Sequence, residues 1–169
     1  MTNLPDIPSS NLHQVLAGSI LTAEPPNVLQ ILGLGSCVAV TFYVPQLMFG
    51  AMAHVMLPTA DNARTPDLKG KYADSAVPEL LRIIKKKKVR LDTVQVKLVG
   101  GARMFTQFSS EIFDISQRNI EAVERVLGEV GLTVSAKDLG GSRGRSIYFF
   151  PETGEIQVYF AGGKLKQKL

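Results

Sequence analysis

The chain has 169 residues, 45% of them hydrophobic and 20% charged, and a net charge of +4. That is enough chain for one domain with a buried core, and too weak a positive charge to imply a nucleic-acid partner by itself. The lone cysteine excludes an internal disulfide and fits a reducing compartment, so a cytoplasmic protein is expected.

Residues 1–10 are polar and contain prolines, without the basic leader and apolar stretch of a signal peptide, and are expected to be a loose end. Leu12 to Leu21 alternates weakly and reads as an edge strand, stopped by Pro25-Pro26. Val28 to Leu32 is a short apolar run entering a glycine-containing turn. Two β-rich runs follow, Val38–Val44 and Met48–Met56, with Pro45-Gln46 between them in a place where proline suits a tight turn. The stretch from Val28 to Val44 is nearly long enough to suggest a membrane span. Gln30, Gly33, Gly35, Ser36 and Pro45 interrupt it, so a pair of core strands is expected and no membrane insertion.

Pro58 to Gly70 reads as a polar loop. Ala76, Leu80, Ile83 and Ile84 recur at helical spacing and predict a helix from about Tyr72 to Lys88, with Pro78 tolerable only near its start. Thr93 to Val99 reads as a strand ending in Gly100-Gly101, and Ile120, Val123, Val126 and Leu127 predict a second helix over about Gln117–Leu127. Leu132–Ala136, Ser146–Phe150 and Glu155–Phe160 complete the strands, and residues 162–169 form a basic tail expected to be loose. The sum is a single α+β domain over 1–169, with seven to nine strands in mixed, mostly antiparallel sheets packed with two main helices.

The only cysteine and one of two histidines fall within the paired runs. If Val44 and Leu47 close the turn, opposed residues have numbers summing to 91, and Cys37 then faces His54 directly, with Cβ atoms roughly 5 Å apart. An imidazole there can take the proton of the thiol and make it a nucleophile. The small residues Gly35 and Ser36 before Cys37 leave room for a substrate and for backbone N–H groups that hold a developing oxyanion. The competing reading of the same residues is a small buried hydrophobe beside a core histidine. One cysteine and two histidines without ligand spacing predict no metal site, and no glycine-rich loop has the sequence of a phosphate loop, so no cofactor is expected. Arg103, Arg118, Arg143 and Arg145 lie in glycine-bearing or turn-like segments. There they either grip an acidic partner or are solvated loop charges, and Met104-Phe105 is either a partner contact or core. The run Lys85–Lys88 lacks the interleaved aromatics of a nucleic-acid surface and reads as a helix end.

The segments Leu32–Val40 (LGLGSCVAV) and Gly50–Pro58 (GAMAHVMLP) carry a resemblance. With Gly70–Ala76, Gly100–Phe105, Arg118-Asn119 and Gly140–Arg145, in that order, the chain resembles CheD, the chemoreceptor glutamine deamidase family. The resemblance implies a cysteine-hydrolase fold similar to the catalytic domain of cytotoxic necrotising toxins. It also implies hydrolysis of glutamine side-chain amides in methyl-accepting chemotaxis receptors, a protein-glutamine glutaminase activity, with Cys37 as nucleophile and His54 as general base. Arg103, Met104, Phe105, Arg118, Asn119, Arg143 and Arg145 become candidates for contact with substrate or partner, and a CheC-type phosphatase is the implied partner. The family's third catalytic position, a threonine six residues before the cysteine, is Ile31 here, and Ser116 stands where glycine is usual. The missing hydroxyl leaves two readings open: a deamidase of lowered activity, or a non-catalytic adaptor that binds receptors or the phosphatase.

Overall fold

A computed structural model describes residues 4–61, 68–104 and 110–169, with 110–114 as backbone only. Ten strands and two helices are present among them: β1 (Leu12–Gln14), β2 (Ile20–Ala23), β3 (Val28–Leu34), β4 (Val38–Val44), β5 (Phe49–Val55), α1 (Ala73–Lys86), β6 (Gln95–Gly100), α2 (Ser110–Glu129), β7 (Val134–Leu139), β8 (Arg145–Phe150), β9 (Glu155–Phe160) and β10 (Leu165–Lys168). They form two five-stranded sheets, ordered β1-β3-β8-β9-β10 and β2-β5-β4-β6-β7. Only β1/β3 and β6/β7 are parallel pairs, so the expected α+β architecture with mixed, mostly antiparallel sheets is the one observed.

Three layers explain the composition of the central strands. Every residue of β4 and β5 is buried, because the β4-containing sheet is covered on both faces. Such strands show continuous apolar runs in place of the polar alternation of half-exposed ones. On one face Val38, Val40, Phe42 and Val44 pack with Ala76, Val77 and Leu80 of α1 and Val123, Val126 and Leu127 of α2. On the other, Ala39, Tyr43 and Met52 meet Leu29, Ile31, Ile147 and Phe149 of the second sheet. The outer face of that second sheet carries a smaller cluster of Val28, Tyr148 and Tyr159, against which Ile7, Leu12, Phe150 and Leu165 pack.

The structure corrects several expectations. The single edge strand over Leu12–Leu21 is two strands in different sheets, separated at Gly18 with φ +78°. The helix expected over Gln117–Leu127 begins seven residues earlier, at Ser110. Serines, Asp114 and β-branched isoleucines of weak helix propensity hide its first turns. Pro78 lies inside α1 and does not mark its start. The basic tail is not loose: β10 pairs with β9, and Leu169 exchanges backbone hydrogen bonds of 2.9 and 3.0 Å with Ile156. At the other end, Ile7 packs on the outer cluster.

The hairpin register also differs. Pro45–Leu47 form a 3-10 turn that Met48 closes in the left-handed conformation, so Val44 pairs with Phe49 and Ala39 with His54. Opposed numbers sum to 93, a slip of two residues from the two-residue turn. Because side chains alternate with period two, a slip of two changes the partner and preserves the face.

Candidate active site

Cys37 lies one residue before β4, where the chain leaves β3 in one sheet and enters β4 in the other. The Gly35-Ser36-Cys37 loop therefore crosses from one sheet to the other at one end of the interlayer seam. By parity with Ala39 and Tyr43 the thiol faces the second sheet. It is partly buried there against Leu29, Ile31, Leu34 and their neighbours. His54, only 8% exposed, shares that face with Met52. Cys37 and His54 are thus diagonal and not directly opposed, a relation that typically separates residues by about 7–8 Å across a sheet before side chains reach toward each other.

His54 Nδ1 is 3.2 Å from the carbonyl of Val15. A carbonyl only accepts, so Nδ1 carries the proton and Nε2 is left as the basic nitrogen. Burial pushes the His54 pKa below its ordinary value, against a smaller opposing effect of the Val15 hydrogen bond, and burial pushes the Cys37 thiol up. Both shifts favour a resting pair of neutral thiol and neutral imidazole, with proton transfer occurring on attack. Val15 is held in turn by its own N–H, which donates to the Gln30 carbonyl at 2.8 Å, extending the β1/β3 ladder. The side chain at the third family position, Ile31, is 1% exposed, pairs with Ile147 and belongs to the interlayer core. Sequence reasoning missed Val15, because a main-chain carbonyl leaves no mark in residue type.

The Gly35-Ser36-Cys37 loop is braced from below. The N–H of Gly101 donates to Cys37 O at 2.8 Å and that of Ala102 to Gly35 O at 2.7 Å. Among the described residues, no protein acceptor is found for the N–H groups of Gly35, Ser36 and Cys37. Gly100 approaches so closely that an added Cβ would lie 2.2 Å from Cys37 O, at a φ of +128°. Gly100→Ala is accordingly expected to displace the loop, lowering stability by about 1–3 kcal/mol in thermal unfolding and changing the rate of Cys37 alkylation.

The remaining candidates separate. Met104, 44% exposed, lies across the loop: added Cβ atoms at Gly35 and Gly144 would stand 3.0 and 2.7 Å from its Cε and sulfur. Arg103 is half-buried beside it, its N–H donating to Gly141 O at 2.8 Å, and Arg143 stacks 4.0 Å from the Phe160 ring centroid. Arg118 is exposed on α2 and lines a shallow hollow with Pro58, Thr59 and Asp61. Phe105 lies outside the described residues. Two candidates are not available to a partner. Asn119 is fully buried and Arg145 is 2% exposed, paired with Asp138 at 2.9 Å. Ser116, where the family pattern has glycine, donates its hydroxyl to Ala102 O at 3.1 Å and so ties α2 to the bracing loop. Among the described residues no cluster of His, Cys, Asp or Glu is arranged to hold a metal, and no helix is long and apolar enough to cross a membrane.

Comparison with known proteins bears on this geometry. The family described as CheD chemotactic sensory transduction matches residues 56–159. The chemoreceptor glutamine deamidase CheD of Thermotoga maritima is 42% identical over 146 residues, 86% of this chain and 90% of that one. A span of that size includes positions 37 and 54 wherever it begins. Proteins named probable chemoreceptor glutamine deamidase CheD align from Archaeoglobus fulgidus, at 37% identity over 82% of this chain and 87% of that one, and from Methanococcus maripaludis, at 40% over 90% and 97%. Among solved structures, Bacillus licheniformis YfiH superposes with a TM-score of 0.44 at 12% identity, over 78% of this chain and 58% of that one, too loosely to inform the chemistry.

Proposed function

Since the chain belongs to the CheD family, we propose that it deamidates glutamine side chains of chemotaxis receptors through a thioester on Cys37, with His54 as general base. The observation that carries the reading is the hydrogen bond from His54 to the Val15 carbonyl on the face His54 shares with the only cysteine. With Nδ1 so occupied, Nε2 takes the thiol proton as sulfur attacks the carboxamide carbon. The free amides of Gly35, Ser36 and Cys37 receive the negative oxygen. His54 then protonates the departing ammonia, and water, activated by the same nitrogen, hydrolyses the thioester to leave glutamate and the free thiol.

In this reading the Val15 carbonyl takes the place of a threonine hydroxyl at position 31, which supports a deamidase over an inert adaptor. Ile31→Thr tests this. The expected result is no rise in deamidation beyond a few-fold, with a loss of about 1–3 kcal/mol in stability, because a hydroxyl is buried in an apolar interlayer. A gain of two orders of magnitude or more would show that His54 lacks its orienting partner in the parent chain. The assay is mass spectrometry of a receptor cytoplasmic fragment, read for conversion of individual glutamines to glutamate. No conversion across several cognate receptors would reject the proposal. The same reading includes work in the cytoplasm, where those receptor segments lie, and docking of a CheC-type phosphatase, with exposed Met104 beside the Gly35-Ser36-Cys37 loop and exposed Arg143 as contact candidates.

A further inference from the structure

The β4/β5 ladder ends at Val38↔Val55, one residue past His54, which pairs with Ala39 inside it, and one residue short of Cys37. Beyond it the strands part: Cys37 O turns to the N–H of Gly101, and Met56 N–H turns to Lys71 O at 2.9 Å. Where the next rung would fall, a side chain replaces it. Asn119, fully buried on α2, donates from Nδ2 to Ser36 O at 3.0 Å and to Met56 O at 2.9 Å. An amide nitrogen has two hydrogens, so both bonds are made at once and its donor capacity is used up. One acceptor is adjacent to Cys37 and the other is two residues beyond His54. The two carbonyls belong to segments that no backbone ladder joins at this point.

We propose that Asn119 is a positioning residue of the deamidation reaction: its amide spans the splayed ends of β4 and β5 and sets the spacing between the Cys37 sulfur and the His54 ring. Past the end of the ladder, the two segments would be free to drift apart without a tether. Neither backbone can provide that tether, because here each segment turns to a different neighbour. Hydrophobic packing is a poor substitute, since it is non-directional and constrains a distance weakly, whereas two hydrogen bonds from one planar group fix both acceptors relative to a helix. Displacements near 1 Å in such an arrangement can cost about 10²-fold in rate.

The inference rests on the Cys37–His54 reading, and the test separates the two. Because the chain has a single cysteine, the pH profile of its alkylation by iodoacetamide reports Cys37 alone. Four proteins are compared: the parent, His54→Ala, Asn119→Ala and Val126→Ala. The last removes buried apolar volume from the same helix and serves as a control for lost stability. Asn119→Thr is added because it keeps volume and retains one donor. The expected result is that His54→Ala and Asn119→Ala shift the alkylation profile in the same sense, while Val126→Ala leaves it in place. For deamidation, kcat should fall 10- to 100-fold in Asn119→Ala with KM within about twofold, and Asn119→Thr should fall between. If His54→Ala does not move the profile, the reacting-pair reading fails. If it does and Asn119→Ala matches the parent, or loses no more than Val126→Ala, the positioning role is overturned. Failure of both Asn119 variants to fold would likewise overturn it, by assigning the residue to folding.

Discussion

Replacing Cys37 by alanine is expected to abolish conversion of receptor glutamines, by at least about 10³-fold, with the folded state retained. Removing the nucleophile of a covalent mechanism costs as much as removing the whole catalytic unit, up to about 10⁶-fold in the best-studied hydrolase. No other described side chain is placed to substitute. Ser36 is its neighbour, but a serine hydroxyl without an adjacent base is a far weaker nucleophile than a thiol. The sulfur is partly buried and only partly packed, so the truncation should change stability by less than about 1 kcal/mol. Conversion at the parent rate by Cys37→Ala, measured by mass spectrometry on the same receptor fragment, would remove the assignment. Retained receptor binding with lost turnover would establish that recognition and chemistry are separable.

Arg145→Met should produce the largest loss of stability. Arg145 Nη1 donates to the Asp138 carboxylate at 2.9 Å and to the Asp138 carbonyl at 2.7 Å, and Nη2 donates to Gly140 O. Both members of the pair are almost fully buried, and Lys166 also reaches Asp138. The guanidinium joins β8 of one sheet to β7 at the edge of the other and holds the turn between them. Deleting one partner of a buried pair strands the other charge, a cost of about 3–5 kcal/mol. Lys166 remains for Asp138, so a value near 3 kcal/mol is expected, or a fall in Tm of roughly 6–12 °C. Arg143, two residues earlier, stacks on Phe160 at the surface, and Arg143→Ala should change stability by no more than about 0.5 kcal/mol. Equal effects of the two substitutions would contradict the division drawn between them.

These arginines illustrate what the sequence could and could not reveal. Both occupy Gly140–Arg145, and by composition alone they are equivalent loop cations. Only the pairing of β8 with β3 and of β7 with β6 turns one inward. Asn119 is a similar case: polar and set among charged residues, it reads as surface until α2 is laid on the sheet. The strands of the central layer were legible because burial on both faces writes itself as uninterrupted apolar runs. The face shared by Cys37 and His54 was legible too, since a turn misjudged by two residues preserves parity, whereas an error of one would have reversed it. The direct opposition was not legible: Pro45-Gln46 does not disclose a four-residue connection closed by Met48 in the left-handed region. The break of the first strand at Gly18 escaped for a related reason, because weak alternation continues across a change of sheet.

Cys37 and His54 hang from one sheet, but the carbonyl bonded to the imidazole is fastened to the other, through Val15 and Gln30. Sulfur and ring therefore share a foundation, while the ring takes its heading from across the seam. The Val15 segment is also tied back to β5, Gly18 N–H donating to His54 O and His54 N–H to Ser19 O, so it bridges the two layers at the ring. If His54 is the base proposed, the activity depends on how well the two sheets are aligned.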